Sequence, residues 1–148
     1  MADLLHVVCP RCSAVNRVLR ERLADRGHCG SCKSALFTHH PVTLTETNFD
    51  RQIGRSDLPV VVDFWASWCA PCRAMAPHFE RAAAELEPRV RLAKLDTEAA
   101  SRIAGRYAIR SIPTLIVFRD GLEVARQAGA LDLPRLLQWV RAQVAEPV

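Results

Sequence analysis

The run VVDFWASWCAPC, residues 61–72, sets the architecture of this 148-residue chain. Its first half is a nearly continuous series of β-branched and aromatic residues, which is typical of a strand buried on both faces. Its second half holds the pair Cys69 and Cys72, with Pro71 at a position that suits the first turn of a helix. Apolar residues then recur at helical spacing over residues 75–86. The pattern predicts a buried strand that leads directly into a helix beginning at the cysteine pair.

A cysteine pair at a helix N-terminus is suited to thiol–disulfide exchange. The thiolate is the nucleophile in that reaction, and free backbone N–H groups and the helix dipole stabilise it there. We expect Cys69 to lie at the exposed start of the helix and to attack an incoming disulfide. Cys72, one turn further in and facing the protein, is expected to resolve the mixed disulfide. The alternative is half of a zinc site, which the strand-to-helix context disfavours.

The sequence on either side of this run alternates between strand and helix patterns from Pro41 onward. The predicted strands cover residues 42–44, 59–65, 90–96, 114–118 and 122–127. The predicted helices run from residue 46 to about 53 after an N-cap at Thr45, onward from Cys72, over 101–107, and after an N-cap at Asp132. Pro77 predicts a kink in the second helix, and Asp120-Gly121 predicts a hairpin turn. The order β-α-β-α-β-α-β-β-α indicates a layered α/β fold with a mixed sheet.

Four further cysteines precede this α/β region. The pairs Cys9/Cys12 and Cys29/Cys32 are 16 residues apart, a spacing typical of a structural zinc site. Four thiolates complete a closed tetrahedron, and soft sulfur ligands favour zinc over magnesium or calcium. One or two regulatory disulfides are the alternative, and the neighbouring His6 and His28 are not needed as ligands.

The chain therefore divides into two predicted domains. Residues 1–38 have few large apolar residues, so they need a metal or disulfides to fold, and we expect them to bind one structural Zn²⁺ per chain. Residues 41–148 form the predicted α/β domain. The boundary lies near His39, His40 and Pro41.

Several short motifs follow residues 61–72 in a recognisable order. They are AKLD (93–96), YAIR (107–110), IPT (112–114), Gly121 and Gly129-Ala130. With these motifs, residues 42–146 resemble the thioredoxin family, and the four-cysteine segment ahead of them resembles the bacterial thioredoxin-2 group. The resemblance implies a mixed central sheet flanked by helices with a small N-terminal zinc-ribbon-like module. It also implies a protein-disulfide reductase that NADPH-dependent thioredoxin reductase recycles.

The resemblance assigns roles to individual residues. Asp63 matches a buried aspartate beneath the cysteine pair, whose raised pKa lets it exchange a proton with Cys72, and Lys94 matches a lysine close to that aspartate. Pro113 matches the family's cis-proline, which turns the backbone of Ile112 toward an extended substrate segment. The full set of expected substrate-binding residues is Trp68, Ala70, Pro71, Ile112, Pro113 and Gly129.

One departure concerns the dipeptide between the redox cysteines. The family usually has Gly-Pro there, whereas this chain has Ala70-Pro71. Retention of Pro71 favours a reducing protein. Ala70 lacks the backbone freedom of glycine, so it is a candidate determinant of the reduction potential, in a direction that the sequence does not give.

Composition and charge indicate which binding partners and which cellular compartment to expect. The net charge of +4 is small, and residues 1–40 contribute +3 of it, so we do not expect nucleic-acid binding. No apolar run approaches the roughly 20 residues of a membrane span. The first residues lack the pattern of a secretory signal, and we expect a cytoplasmic monomer with reduced thiols.

The chain has no flavin or dinucleotide motif, so its reductase is expected to be a separate protein, with disulfide-containing proteins as the other partners. Two alternative functions remain. One is an oxidant or disulfide isomerase, and the other is a redox-independent binding module.

Overall fold

The computed structural model describes residues 3–144 and contains two β-sheets and four α-helices in that range. The strands are β1 (Leu4–Val8), β2 (Val15–Leu19), β3 (Val42–Leu44), β4 (Val60–Trp65), β5 (Arg91–Asp96), β6 (Thr114–Arg119) and β7 (Leu122–Ala128). The helices are α1 (Phe49–Gly54), α2 (Ala70–Leu86), α3 (Ser101–Arg106) and α4 (Leu133–Val144), with a single 3₁₀ turn at Arg20–Arg22.

The larger sheet has the strand order β3-β5-β4-β6-β7. The β3, β5 and β4 strands are parallel, whereas β6 and β7 run antiparallel to their neighbours. This arrangement confirms the predicted mixed sheet flanked by helices. β4 lies at its centre, and Val60 to Phe64 are all buried, as its unbroken apolar run predicted.

Alternating side chains of the central strands fill two hydrophobic cores. Val62 and Phe64 point to one side, where they pack with Phe49 of α1 and Ile103 of α3. Val61 points to the other side and packs with core residues of α2 and α4. The period of two along β4 thus divides its residues between two helical layers.

Several element boundaries differ from the prediction. The first helix begins at Phe49 rather than at residue 46. The reason is a tight turn in which Thr45 N–H donates to Asn48 Oδ1 at 2.7 Å and Asn48 N–H donates to Thr45 Oγ1 at 3.2 Å. The second helix continues through Pro77, and the kink expected there stays a prediction.

The N-terminal segment contains a hairpin that the sequence analysis did not predict. We call residues 3–38 the module; β1 and β2 pair antiparallel within it. Its apolar residues Leu5, Val7 and Leu36 are buried in a small core that also contains Leu58, from the turn before β4. The core of the module therefore includes a residue from outside it, and the division near residues 38–41 stays a prediction.

Candidate active site and metal centre

Cys69 and Cys72 are joined as a disulfide at the start of α2, immediately after the turn that follows β4. Cys69 is the N-cap of the helix, and its Sγ accepts the backbone N–H of Cys72 at 3.2 Å. When the disulfide is reduced, that N–H group and the helix dipole stabilise a thiolate at Cys69.

The expectation that Cys69 is an exposed residue is wrong. Cys69 is 4% exposed and Cys72 is 2% exposed, so both are buried. One reason is the neighbouring loop, because the carbonyl oxygen of Ile112 lies 3.7 Å from Cys69 Sγ. The two cysteines nevertheless differ in access, because Cys69 lines a shallow surface groove and Cys72 does not.

This groove contains four of the residues predicted to bind substrate and several that the sequence analysis did not assign. It is lined by Trp68, Cys69, Ala70, Pro71, Thr97, Ile109, Arg110, Ser111 and Ile112. Trp68 is 64% exposed and presents an apolar face, while its indole N–H donates to Glu98 Oε2 at 2.6 Å. No local pattern marks Glu98 as part of the site, because the fold brings it to Trp68 from 30 positions away in the chain.

The peptide bond between Ile112 and Pro113 is cis, as the family resemblance implied. Pro113 is buried, and its carbonyl oxygen accepts the backbone N–H of Gly129 at 2.9 Å. Gly129 itself has a φ of +95° and is exposed. Neither Pro113 nor Gly129 lines the groove around Cys69; both support the loop that carries Ile112.

Asp63 is a buried carboxyl group on β4, 1% exposed. Neither of its carboxylate oxygens has a hydrogen-bond partner among residues 3–144. Burial raises the pKa of Asp63 to about 7, and the ammonium group of Lys94 partly opposes that rise.

The position of Asp63 in the sheet places it on the side of the redox pair. It shares a face of β4 with Val61, which packs with residues of α2, and the first turn of α2 holds Cys72. Lys94 lies opposite Asp63 in the register of β4 and β5, and its Nζ lies 4.6 Å from the centre of the Trp65 ring. The predicted aspartate and lysine are therefore neighbours.

The four N-terminal cysteines meet at one point. Their sulfur atoms all lie within 4.8 Å of one another, with Cys9 Sγ and Cys32 Sγ 3.6 Å apart and Cys12 Sγ and Cys29 Sγ also 3.6 Å apart. Four sulfurs bound at about 2.3 Å to one tetrahedral zinc ion are about 3.8 Å apart. The spacing of the sulfurs thus fits a single tetrahedral zinc ion.

Each cysteine pair forms a similar turn around its first sulfur. Cys9 Sγ accepts backbone N–H groups from Arg11 and Cys12 at 3.4 and 3.5 Å. Cys29 Sγ accepts them from the equivalent positions, residues 31 and 32, at 3.3 and 3.5 Å. Such N–H groups stabilise sulfur in the thiolate form that a metal requires.

The chemistry of the donor set also favours a metal. Hydrogen bonds, first from the Cys32 backbone and then from the Asn16 side chain, lower the pKa of Cys29 to about 6. Burial raises the pKa of Cys9 to about 11, so a bound cation is needed to hold this sulfur as a thiolate at neutral pH. The ring of His6 is directed to Asp57 instead of the cluster, with Nδ1 2.9 Å from Oδ2.

Comparison with known protein families identifies this arrangement. The family model described as Thioredoxin matches residues 40–142, which is more than half of the chain and includes Asp63, the redox pair and Pro113. The chain belongs to the thioredoxin family. A second model, described as Thioredoxin 2, N-terminal, matches residues 8–34 and includes all four cysteines of the module. The thioredoxin domain and its zinc-binding module are thus both matched.

Two named thioredoxins resemble the chain over most of their own length. Thioredoxin C-3 of Corynebacterium nephridii is 46% identical over 140 residues, which is 95% of this chain and 96% of the relative. Thioredoxin of Rhodospirillum rubrum is 39% identical over 101 residues, 68% of this chain and 97% of the relative. These similarities support a disulfide-reductase function, and the chain is a thiol–disulfide oxidoreductase.

Within residues 3–144, no helix has the length and apolar character to cross a membrane.

Proposed function

We propose that this thioredoxin reduces disulfide bonds in other proteins through Cys69 and Cys72. The observation that carries the proposal is the position of Cys69, which caps α2 and lines the groove while Cys72 lies beneath it. In the reduced protein, the Cys69 thiolate attacks one sulfur of a substrate disulfide, and the other substrate sulfur leaves as a thiolate that takes a proton from water. Cys72 then attacks Cys69 Sγ and releases the second substrate sulfur. The substrate gains two electrons, and the Cys69–Cys72 pair ends as the disulfide.

We propose that Asp63 takes the proton of Cys72 during the second step. A carboxyl group with a pKa of about 7 is half ionised near neutral pH, so it is able both to accept and to return this proton. Lys94 adjusts that pKa by its charge. Asp63 and Cys72 are both buried, so the proposed proton transfer takes place beneath the protein surface.

Substrate binding is proposed to use the groove and the loop beside it. Trp68, Ala70 and Pro71 provide the apolar wall next to Cys69, and the backbone of Ile112 provides a polar edge for an extended segment. Pro113 and Gly129 hold that loop in place through the bond from Gly129 N–H to the Pro113 carbonyl.

Regeneration of the dithiol is proposed to require a separate NADPH-dependent thioredoxin reductase. The chain carries no flavin or dinucleotide motif, so the electrons reach Cys69 and Cys72 from another protein. We propose the cytoplasm as its place of action, because metal-binding thiolates persist in a reducing compartment. A monomer is the proposed working form, since the reaction uses one cysteine pair and one groove.

We further propose that the module holds one structural zinc ion through Cys9, Cys12, Cys29 and Cys32. The sulfur spacing and the N–H groups directed at Cys9 and Cys29 support this site. Four protein ligands close the tetrahedron, so the ion supplies folding energy to the module and takes no part in disulfide exchange.

The test of the reductase proposal is the reduction potential of the Cys69–Cys72 pair, measured by equilibration with glutathione while the module is zinc-loaded. A value near about −270 mV is expected of a general reductant. A value above roughly −200 mV would assign the protein to the oxidants and isomerases. The Cys69→Ser/Cys72→Ser double variant is the control, and retention of function in it would instead favour a redox-independent binding role.

A further inference from the structure

The module lies at the end of the central sheet opposite to the redox pair. Leu58, two residues before the start of β4, is part of the module's core. Arg91, the first residue of β5, contacts module carbonyl groups. Cys69 instead follows the last residue of β4, Trp65. The two ends of the same strands thus serve different sites, and no module residue lines the groove at Cys69.

Arg91 connects the two parts of the chain through a buried guanidinium group. Its side chain is 5% exposed, and one Nη donates to the backbone oxygens of Val8 and Leu36, at 3.0 Å each. The other Nη lies 2.9 Å from Glu87 Oε2, and the Glu87 side chain is fully buried. Glu87 also accepts the backbone N–H of His39 at 2.8 Å. Both charges of this ion pair are therefore satisfied in part by backbone groups of residues 8–39.

A second buried connection reaches the metal-binding turn itself. Gln52 of α1 is 3% exposed, and its side-chain amide donates to the carbonyl oxygen of Cys9 at 2.8 Å and to Ser13 Oγ at 3.0 Å. Ser13 N–H donates to the same Cys9 carbonyl at 3.0 Å and closes the turn. Gln52 thus binds the backbone of a predicted zinc ligand from outside the module.

These contacts make the two parts depend on each other energetically. If the module unfolds, Arg91 loses its two carbonyl partners, and the N–H donor to Glu87, at the residue directly after the module, is no longer held in place. Buried charges that lose hydrogen-bond partners destabilise a fold far more than exposed ones do. Unfolding of the module is therefore expected to weaken the end of the sheet at which β5 begins.

We propose that Arg91, Glu87 and Gln52 fasten the module to the thioredoxin sheet, so that zinc binding and folding of the whole chain form one cooperative equilibrium. The inference rests on the zinc binding proposed above. Zinc binds the folded turns and not the unfolded chain, so its binding energy stabilises every part that unfolds together with them. Arg91 is a positioning residue in this scheme, because it holds the backbone of the module and does not contact the metal.

The tryptophan distribution allows each part to be followed separately. The chain has three tryptophans, Trp65, Trp68 and Trp139, and all lie outside the module. Their fluorescence reports unfolding of the sheet and its helices, while a chromogenic zinc chelator reports opening of the module. In a urea titration of zinc-loaded protein, kept reduced throughout, we expect the two signals to change at the same urea concentration. Removal of zinc beforehand is expected to move the tryptophan transition to lower urea.

Two variants distinguish loss of the coupling between module and sheet from general destabilisation of the protein. Glu87→Gln/Arg91→Met removes both charges at once, so neither is left buried alone, and Gln52→Leu removes the second connection. In both variants we expect zinc release to occur before the tryptophan transition, and prior removal of zinc to shift that transition less than in the unaltered chain. Zinc release from the native double variant is expected to be faster by on the order of tenfold or more. Arg89→Met, at an exposed arginine two positions away, is the matched control and keeps the transitions coincident.

The readout is cooperativity, which a merely structural role would not alter, because general destabilisation moves both signals together. Separate transitions in the unaltered zinc-loaded chain would overturn the inference. Coincident transitions in both variants would overturn it as well, since the contacts of Arg91, Glu87 and Gln52 would then not couple the module to the sheet. A chain that binds no zinc would contradict the metal proposal and this inference together, whereas loaded protein with separate transitions would contradict this inference alone.

Discussion

Asp63 lies between hydrophobic neighbours on the central strand with no hydrogen-bond donor to its carboxylate among residues 3–144. Its pKa is about 7 in the folded protein, against an ordinary value of 3.8. Between these values the unfolded carboxyl is ionised while the folded one retains its proton. The folded state then binds more protons, so stability decreases as the pH rises from about 4 to about 7 and levels off above.

Asp63→Asn should therefore stabilise the protein at alkaline pH. The amide cannot ionise, so the free energy of unfolding at about pH 8 is expected to rise by up to about 4 kcal/mol, and its decrease between pH 4 and 7 is expected to vanish. Urea unfolding of the oxidised protein at several pH values measures both effects. Asp120→Asn, at an exposed turn residue, is the control and should retain the pH dependence. An unchanged pH dependence in Asp63→Asn would contradict the assignment.

The same variant should slow the second step of disulfide exchange. Without a proton acceptor, attack by Cys72 on the mixed disulfide is expected to be about 100-fold slower or more near neutral pH, and the inflection near pH 7 is expected to disappear. Stopped-flow tryptophan fluorescence with an oxidised protein substrate follows this step. An inflection that persists in Asp63→Asn would assign the titration to another group.

The two cysteines should give opposite results when substituted singly. Cys72→Ser keeps the attacking sulfur but cannot resolve the adduct, so a stable mixed disulfide with an oxidised substrate such as insulin is expected to accumulate at Cys69. Cys69→Ser is expected to form almost none, because Cys72 does not line the groove. Mass spectrometry under non-reducing conditions distinguishes the two. Equal adduct formation by both variants would mean that either sulfur is able to attack.

At the scale of elements, local sequence patterns predicted a strand or helix correctly where the residues that determine it are contiguous. β4 and α2 match the prediction because an unbroken apolar run and a capped, periodic helix are properties of contiguous residues. The β1–β2 hairpin escaped prediction because its core is completed by Leu58, which lies far along the chain. The start of α1 shifted because Thr45 and Asn48 bond each other and close a turn.

The last helix offers a direct test of a predicted cap. Asp132 Oδ1 accepts the backbone N–H of Arg135 at 3.1 Å, and α4 places Leu136 and Val140 fully in the core beside α2. Asp132→Ala is expected to cost about 1 kcal/mol. The melting temperature should then fall by about 2–4 °C. Calorimetry measures the loss, and Asp132→Ser, which keeps an acceptor, should lose much less. Equal melting temperatures for both variants would show that the cap contributes nothing.

At the scale of the whole molecule, the six cysteines should separate into two chemical groups. With zinc bound, alkylation of the reduced native protein is expected at Cys69, which lines the groove, but not at the four cysteines of the module, because metal-bound thiolates react slowly. After zinc is chelated under reducing conditions, the four cysteines of the module are expected to react as well. Mass spectrometry counts the added groups. Modification of Cys12, the most exposed of the four, at the rate of Cys69 in loaded protein would contradict a zinc site.

The sequence by itself determined the redox pair, its position between a strand and a helix, the cysteine spacing typical of a metal site, and the order of strands and helices along the α/β part of the chain. Each of these depends on residues close together in the chain, such as Cys69 at the start of α2 or Cys9 with Cys12. The roles of Asp63, Lys94 and Pro113 came from family resemblance, since no local pattern assigns them.

The tertiary structure alone decided what distant residues do together. It brought Glu98 to Trp68, lowered the exposure of Cys69, and attached the module to the far end of the sheet through Arg91 and Gln52. The physical reason is that hydrogen bonding and burial depend on distance in space. The hydrogen-bond partners of Arg91 lie 83 and 55 positions away in the chain. The sequence alone therefore does not distinguish this buried arginine from an exposed one.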